Sequence, residues 1–391
     1  MGSAQVSWRE RSRLVRAVRL WRTRNPHTFR DKVRYKMLRD RRELIVTFAD
    51  KAAVRDHVAT VVGRQYLPAV YAIVDEPADL YHAVLPDTFV VKPTHGSGAV
   101  IVVSDHAPAE ARLPGDRGDW SYRFVRPEHA GRGDIVRIAK GWVAQLYGQG
   151  PNREWAYGQI PPRVLVEELL TDAAGEIPDD YKFFVFHGKC AYVQVDIGRF
   201  GRRTQDFFRP DWEHLPLSGG PPWADPQPEP PSRLDEMIAV AEQLGAGTDF
   251  VRVDLYCVDG RIVFGELTSF PAGGDSPFDP EYFNDEFGSH WTVPRRYREP
   301  GLERPLPGHP VFMTDKTNPP GPTDQGRTGG MATREVAPDV VEKHRRETPI
   351  PEDATEATDE QRREQEQLDH QDDDPEAPGA HQDRHQLADE T

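Results

Sequence analysis

Apolar residues recur along this chain with two different periods. Strand-like runs occur at Phe89–Val91 and Ala99–Val103, at Arg163–Leu170 (RVLVEELL), at Tyr181–Phe186 and Ala191–Asp196 around a His187-Gly188 turn, and from Phe250 to Leu267. Helical spacing runs from Leu44 to Gly63, with Ala53, Val54, His57, Val58 and Val61 on one side. Asp50 stands before that run as an expected N-cap. Helix-like stretches also lie near Ile135 to Tyr147. From Ser232 to Leu244 an amphipathic helix is expected, its stripe formed by Leu234, Met237, Ile238, Ala241 and Leu244. Residues 216–232 are proline-rich and read as a loop, and no internal repeat is visible.

The chain ends depart from this alternation. Among residues 1–50, 14 Lys/Arg face 5 Asp/Glu, although the whole chain of 391 residues carries a net charge of -15. Residues 1–43 are read as a basic helical segment in which Leu14, Val18 and Trp21 share a face. Such a segment packs on the main domain with its charges solvated, or lies on an anionic membrane surface. No nucleic-acid recognition module accompanies the arginines, so a nucleic-acid role is not expected. Residues 301–391 turn Pro/Gly-rich and then acidic with few aromatics. That composition cannot offset chain entropy by burial, and disorder is expected over 318–391. Two cysteines, Cys190 and Cys257, both in apolar runs, suit a reducing compartment, and no apolar run reaches the length of a membrane span. A cytoplasmic protein is expected, with peripheral contact at the inner membrane face as an option.

Two constellations carry candidate chemistry. In FVVKPTHGSG (Phe89–Gly98) a strand delivers Lys92 to a small-residue loop, Thr94-His95-Gly96-Ser97-Gly98. Successive amides in such a loop form an anion nest, and a lysine beside it adds a point charge. Lys51, in the first turn after Asp50, opposes the positive helix end, which hints that an anion holds it there. The second constellation is FVRVDLYCVDGRIVFGELT. Alternation puts Arg252, Asp254 and Tyr256 on one face. A three-residue loop at Val258–Gly260 pairs Arg252 with Glu266 and gathers Arg252, Asp254 and Glu266. A two-residue loop at Asp259-Gly260 sends Glu266 to the opposite face. Carboxylates brought side by side need a cation, Arg252 or a proton, and oxygen ligands joined to phosphates suit magnesium.

Taken in order, Asp50-Lys51, Lys92 with its glycine loop, Val166-Glu167-Glu168-Leu169-Leu170, Asp180-Tyr181-Lys182, Arg252-Val253-Asp254 and Gly265-Glu266-Leu267-Thr268 resemble the ATP-grasp superfamily. Within it they resemble the TupA-like group linked to teichuronopeptide synthesis in the cell envelope. The resemblance spans roughly residues 30–290. It implies an α+β ATP-grasp fold over residues 44–300, two α+β subdomains clasping ATP, a reduced region before them and the disordered tail behind. It implies that Lys51 and Lys92 contact phosphates under the Gly96-Ser97-Gly98 loop. Glu167, Glu168 and Leu170 would read adenine at the hinge, and Lys182 would sit near the nucleotide. Asp254, Glu266 and Thr268 would hold Mg2+, while Arg252 and the Gly273-Gly274 turn would face an acyl substrate, with Arg252 and Lys92 as the catalytic pair. The sequence departs from the family in two ways: Thr268 stands where many members have Asn, and only about 50 residues precede Lys51, too few for a complete preceding domain.

The resemblance implies an ATP-dependent carboxylate–amine ligase acting through an acyl phosphate, in envelope polymer or capsule synthesis, with ATP and Mg2+ as cofactors and a carboxylate and an amine as substrates. Two other readings stand beside it: a phosphotransferase or sugar-transfer enzyme of a polysaccharide pathway, and a non-catalytic nucleotide-binding scaffold. His95 and His187 are read as loop-shaping residues, and Trp120, Trp142 and Trp155 as packing residues.

Overall fold

The computed structural model describes residues 24–115, 120–147, 154–198 and 203–298. The Leu14, Val18 and Trp21 face and the whole of 301–391 lie outside the described residues. Within them the order is α1 (Phe29–Arg39), α2 (Glu43–Ala49), α3 (Val54–Val61), β1 (Val70–Val74), β2 (Phe89–Pro93), β3 (Val100–Val103), β4 (Tyr122–Val125), α4 (Arg132–Val143), β5 (Val164–Glu167), β6 (Asp180–Phe186), β7 (Lys189–Ile197), β8 (Thr204–Phe208), α5 (Leu234–Gly245), β9 (Phe250–Val258), β10 (Arg261–Thr268) and α6 (Tyr282–Ser289). Among the described residues no helix is long and apolar enough to cross a membrane.

The strands form two five-stranded sheets. The first runs β1-β5-β2-β3-β4, antiparallel except for the parallel pair β3/β4. Strand alternation sorts its two faces. Phe89, Val91, Ile101, Val103, Val164 and Val166 pack with Ile135, Ile138 and Trp142 of α4. Val90, Val100 and Val102 turn the other way and meet Leu169 and Ile177. The second sheet runs β10-β9-β6-β7-β8 and is antiparallel throughout. One face buries Phe183, Val185, Val193, Val251, Val253 and Leu255 against Met237, Val240, Ala241 and Leu244 of α5. The other is divided. Phe184, Phe186, Phe250 and Tyr192 pack with Phe29 of α1 and with Phe283, Phe287 and Trp291. The remainder of that face is polar.

The expected helix Leu44–Gly63 is two helices. Asp50 ends α2, its N–H donating to the Val46 carbonyl, and the Asp50 side chain then accepts from Ala52 N at 2.8 Å. A short acceptor that can bond its own downstream backbone offers the chain an alternative to continued helix, so the break falls there. The hairpin at His187-Gly188 forms as expected, both residues at positive φ. Strands β1, β4 and β8 carry no separate signal in the sequence.

Candidate active site

A cleft runs between the inner faces of the two sheets in three adjoining lobes. The first, ≈ 650 Å³, is walled by Val90, Val100, Val102 and Tyr122 from one sheet and Tyr256 and Phe264 from the other, and is closed by Glu167–Leu170 where β5 leaves its sheet. That exit is pinned. Glu168 N–H donates to the Ala69 carbonyl at 2.9 Å, and its carboxylate accepts from Ala69 N at 2.8 Å and from Arg261 at 2.6 and 3.0 Å. The Arg261 guanidinium holds the Glu168 carboxyl below the usual carboxylate range. Glu168 and Leu170 line this lobe. The Glu167 carboxylate turns inward, 2.9 Å from Lys92 Nζ and 3.3 Å from Arg55 Nη1.

The second lobe, ≈ 450 Å³, is polar: Lys51, Arg55 and Lys92 face Glu167, Asp254 and Glu266. Lys51 reaches it from the turn after Asp50. Its Nζ donates to the Gly96 carbonyl at 2.6 Å and its N–H to the Thr94 carbonyl at 3.2 Å, so Lys51 braces the glycine loop. Burial lowers the Lys51 pKa and Lys92 adds to that, while Glu266 and Glu167 oppose it. The loop itself is tightly held. A Cβ on Gly96 would lie 2.5 Å from the Trp120 ring and 2.8 Å from Tyr147, and Gly98 has φ +83°. Trp120 and Tyr147 sit 4.9 Å apart between ring centroids, and His95 lies against Trp120 at 5.5 Å. The buried His95 has its Nε2 3.3 Å from the Gln145 carbonyl, and burial pushes its pKa down, which suits a neutral ring shaping the loop.

The acidic hairpin follows neither expected register. The loop is the two-residue Asp259-Gly260, both at positive φ, with Val258 opposite Arg261. Alone, that loop would place Glu266 on the wrong face. A β-bulge at Gly265 inserts one residue and restores it, so that Glu266 pairs with Asp254 and Thr268 with Arg252. The expected Arg252/Glu266 pairing is therefore corrected to Asp254/Glu266, while the gathering of these side chains on one face stands.

Arg252 is 1% exposed. It grips Asp254 through Nε and Nη2, both at 2.9 Å, and Nη2 reaches Glu266 Oε1 at 3.4 Å and Thr268 Oγ1 at 3.2 Å. Thr268 in turn donates to Glu266 Oε1 at 2.7 Å. Lys182 lines none of the three lobes; it is buried behind Asp254, 3.1 Å from Oδ2, with Asp180 at 2.5 Å and Asp196 at 3.7 Å. Burial opposes its charge, but Asp180 and Asp254 raise its pKa above the ordinary lysine value. Arg252 and Lys182 thus act on Asp254 from beneath rather than facing the open cleft. The Gly273-Gly274 turn also departs from its expected place: a Cβ on Gly274 would meet Arg34 of α1 at 2.8 Å, and it is Ala272 that lines the third lobe.

Among the described residues no group of three or more His, Cys, Asp or Glu is arranged to hold a metal ion. The pair Asp254 and Glu266 still fits magnesium, which takes one or two protein carboxylates and fills its remaining positions with phosphate oxygens and water. Glu266 borders both the second and third lobes, whereas Asp254 is already partly neutralised by Arg252 and Lys182. The third lobe, ≈ 500 Å³, lies beyond Glu266 and is bordered by Ser97, Tyr147, Glu154, Tyr157, Thr268 and Ser269.

Several of these residues escape a motif reading. Arg55 lies in the first turn of α3, after the turn that carries Lys51, and no motif marks it. Tyr147 ends the helix-like stretch from Ile135, and Glu154 and Tyr157 follow it with no strand or helix period; none of the three is marked by a motif.

Comparison with known proteins agrees with the resemblance seen in the motifs. Residues 128–292 match the family described as TupA-like ATPgrasp. No curated protein is significantly similar to the chain. Solved structures similar to it include the ATP-grasp ligase PsnB complexed with minimal precursor (13% identity, 58% of this chain and 53% of that chain, TM-score 0.30). Others are D-alanine–D-alanine ligase from Bacillus anthracis with ATP (11%, 62% and 62%, TM-score 0.33) and L-amino acid ligase from Bacillus licheniformis (14%, 58% and 44%, TM-score 0.33). The matched region spans about half the length of the PsnB ligase chain. The described residues have an α+β fold of two five-stranded sheets, and residues 128–292 are similar to the TupA-like ATP-grasp family.

Proposed function

We propose that this protein is an ATP-dependent carboxylate–amine ligase that uses Mg2+. The observation that carries the reading is the junction of the first two lobes: an apolar slot closed by Glu167–Leu170 opens directly onto a polar lobe holding Lys51, Arg55, Lys92 and Glu266. An adenine fits the slot between Val90, Val102 and Phe264, with Glu168 to Leu170 at its edge. The triphosphate then runs past Lys92 and Lys51 beneath Gly96, Ser97 and Gly98. Magnesium, when bound, would be held by Glu266 with Asp254, and it neutralises charge on the phosphates.

The chain's own residues do the rest. Thr268 and Arg252 orient Glu266, and Lys182 keeps Asp254 in place. Lys92 exchanges Glu167 for a phosphate oxygen. A substrate carboxylate oxygen bonds to the γ-phosphorus, the bond to the bridging oxygen breaks, and ADP leaves. The nitrogen of a neutral amine then bonds to the acyl carbon, the bond from that carbon to the phosphate oxygen breaks, and one N–H proton leaves with the departing inorganic phosphate, giving an amide. The glycine loop, seated on Trp120 and Tyr147, keeps water from the acyl phosphate. The TupA resemblance extends the reading to bacterial cell-envelope polymer synthesis, with a teichuronopeptide-like product.

Lys92→Met tests the reading. Arg55 remains beside Glu167 in that variant, so the fold is retained, while affinity for Mg·ATP falls by at least about tenfold, the loss of one charge-assisted contact. Wild-type protein that binds no ATP in magnesium buffer, or a variant that binds it unchanged, overturns the proposal.

A further inference from the structure

One ion pair joins the two sheets beside the first lobe. Arg261, the first residue of β10, donates from Nη1 to Glu168 Oε1 at 2.6 Å and from Nη2 to Oε2 at 3.0 Å. Its Nη2 also lies 3.5 Å from the Leu67 carbonyl. Glu168 follows the last residue of β5 and is tied to the segment before β1, because its main chain and its carboxylate both bond Ala69. Arg55 holds the neighbouring Pro68 carbonyl at 2.5 Å. Residues Leu67 to Ala69 and the Glu167–Leu170 exit are thus fixed to one another and, through Arg261, to β10. That strand also supplies Phe264, which walls the first lobe, and Glu266, which borders the second. Arg261 itself borders none of the three lobes.

The pair is partly exposed, with the Arg261 side chain 45% and the Glu168 side chain 24% in contact with solvent. An ion pair of that exposure contributes little to folding stability. What it supplies is geometry, since a guanidinium fork that meets both carboxylate oxygens fixes direction as well as distance. We infer that Arg261 is a positioning residue for the nucleotide: by gripping Glu168 it holds the edge of the base slot at a set distance from Phe264 and Glu266 without touching the ligand. The inference rests on the ligase reading and adds to it a residue outside the motifs that carry the resemblance. Without the grip the edge stays tied to Ala69 but is free to move against β10. The base must then order it on binding, a cost that falls on affinity. The phosphate end, built from Lys51, Lys92 and the glycine loop, does not share that cost.

The test uses the full chain with Mg2+ in isothermal titration. AMPPNP and inorganic tripolyphosphate are the two probes, the second offering phosphates without a base. Arg261→Ala is expected to weaken AMPPNP binding between about three- and tenfold. The same change leaves tripolyphosphate affinity and the urea unfolding midpoint where they are in the wild type. Glu168→Gln, which keeps an acceptor for the Ala69 N–H and removes the charge, weakens AMPPNP to a similar extent. Combined with Arg261→Ala it costs no more than either change alone, because the two residues act through one contact. Unchanged AMPPNP affinity in Arg261→Ala, equal losses for AMPPNP and tripolyphosphate, or additive losses in the double variant overturn the inference and leave the ligase reading standing. Failure of the wild type to bind AMPPNP overturns the ligase reading instead.

Discussion

Asp254 is held by both carboxylate oxygens in the fork of Arg252, two positions back on the same strand, at 2.9 Å from Nε and 2.9 Å from Nη2. Alternation puts the two side chains on one face, and full burial makes the pairing obligatory. Even so, burial dominates the titration of this carboxyl. Its pKa rises from the ordinary 3.8 to about 6, a lift that Arg252 and Lys182 reduce without cancelling and to which Asp180 and Glu266 add.

A pH dependence of stability follows. The folded protein holds this proton more tightly than the unfolded chain does. The contribution of Asp254 is therefore fully present below 3.8 and is lost as pH rises through about 6. Urea midpoints measured across that interval for wild type and for Asp254→Asn give the check. Wild type loses stability relative to the variant as pH rises, the opposite of a carboxylate whose pKa a salt bridge depresses. A difference that is flat with pH, or that grows in favour of wild type, contradicts the assignment.

The bulge at Gly265 makes a second prediction. A Cβ there would lie 3.0 Å from the Tyr256 ring and 3.1 Å from the Asp254 carbonyl, part of it backbone that cannot swing aside. Gly265→Ala therefore strains the bulge by roughly 1–3 kcal/mol. Its relief, a slip of β10 by one residue, carries Glu266 to the other face. Thermal denaturation reports the lost stability, and isothermal titration with Mg2+ and an ATP analogue reports weaker binding. A variant with wild-type affinity would separate the bulge from the site.

Gly96 and Trp120 form a testable pair. The contact to a new Cβ at 96 comes from the far edge of the Trp120 ring, at 2.5 Å, and from Tyr147 at 2.8 Å. Gly96→Ala lifts the loop off its aromatic seat and weakens nucleotide binding about tenfold or more. Trp120→Ala in the same chain opens the space and restores part of the loss. The interaction energy in the double-mutant cycle lies in the range of roughly 0.5–3 kcal/mol typical of residues in contact. Additive losses would show that the ring does not set the loop's position.

How much of this was legible beforehand divides by the range of the contacts. The β2–β3 hairpin, both hairpins of the second sheet and the α5 stripe follow from local periods, and the structure has them within a few residues. Strand β1, Val70–Val74, was not legible because its exposed residues Val70, Tyr71 and Ile73 erase the alternation of a half-buried strand. The gathering of Asp254 with Glu266 was readable only as a choice of registers. Neither register contained the bulge, since a glycine inside a strand signals one without saying which side chain it re-aims. Lys182 is expected near the nucleotide from the resemblance alone. Asp180 and Asp196 come from its own hairpin, but its burial against Asp254 depends on strand β9, which is distant along the chain.

A buried ammonium away from the cleft separates stability from function. Lys36 of α1 is fully buried, 3.0 Å from Asp40 Oδ2, 2.9 Å from Thr248 Oγ1 and 2.5 Å from Asp249 Oδ1, with the Tyr297 ring 5.0 Å from Nζ. It ties the first helix to the turn before β9. Replacing it with Met leaves two carboxylates buried with less positive charge, although Arg42 still bonds Asp40 through Nε and Nη2. Breaking a buried pair in this way costs about 3–5 kcal/mol. Because no residue of this cluster borders any of the three lobes, Lys36→Met lowers the unfolding free energy obtained from urea titration by that amount, while the folded fraction binds Mg2+ and an ATP analogue with wild-type affinity. Lys36→Met combined with Asp40→Asn recovers part of the stability, since it removes one of the stranded charges. A lost affinity in protein shown by circular dichroism to be folded would mean that α1 shapes the cleft as well as the core.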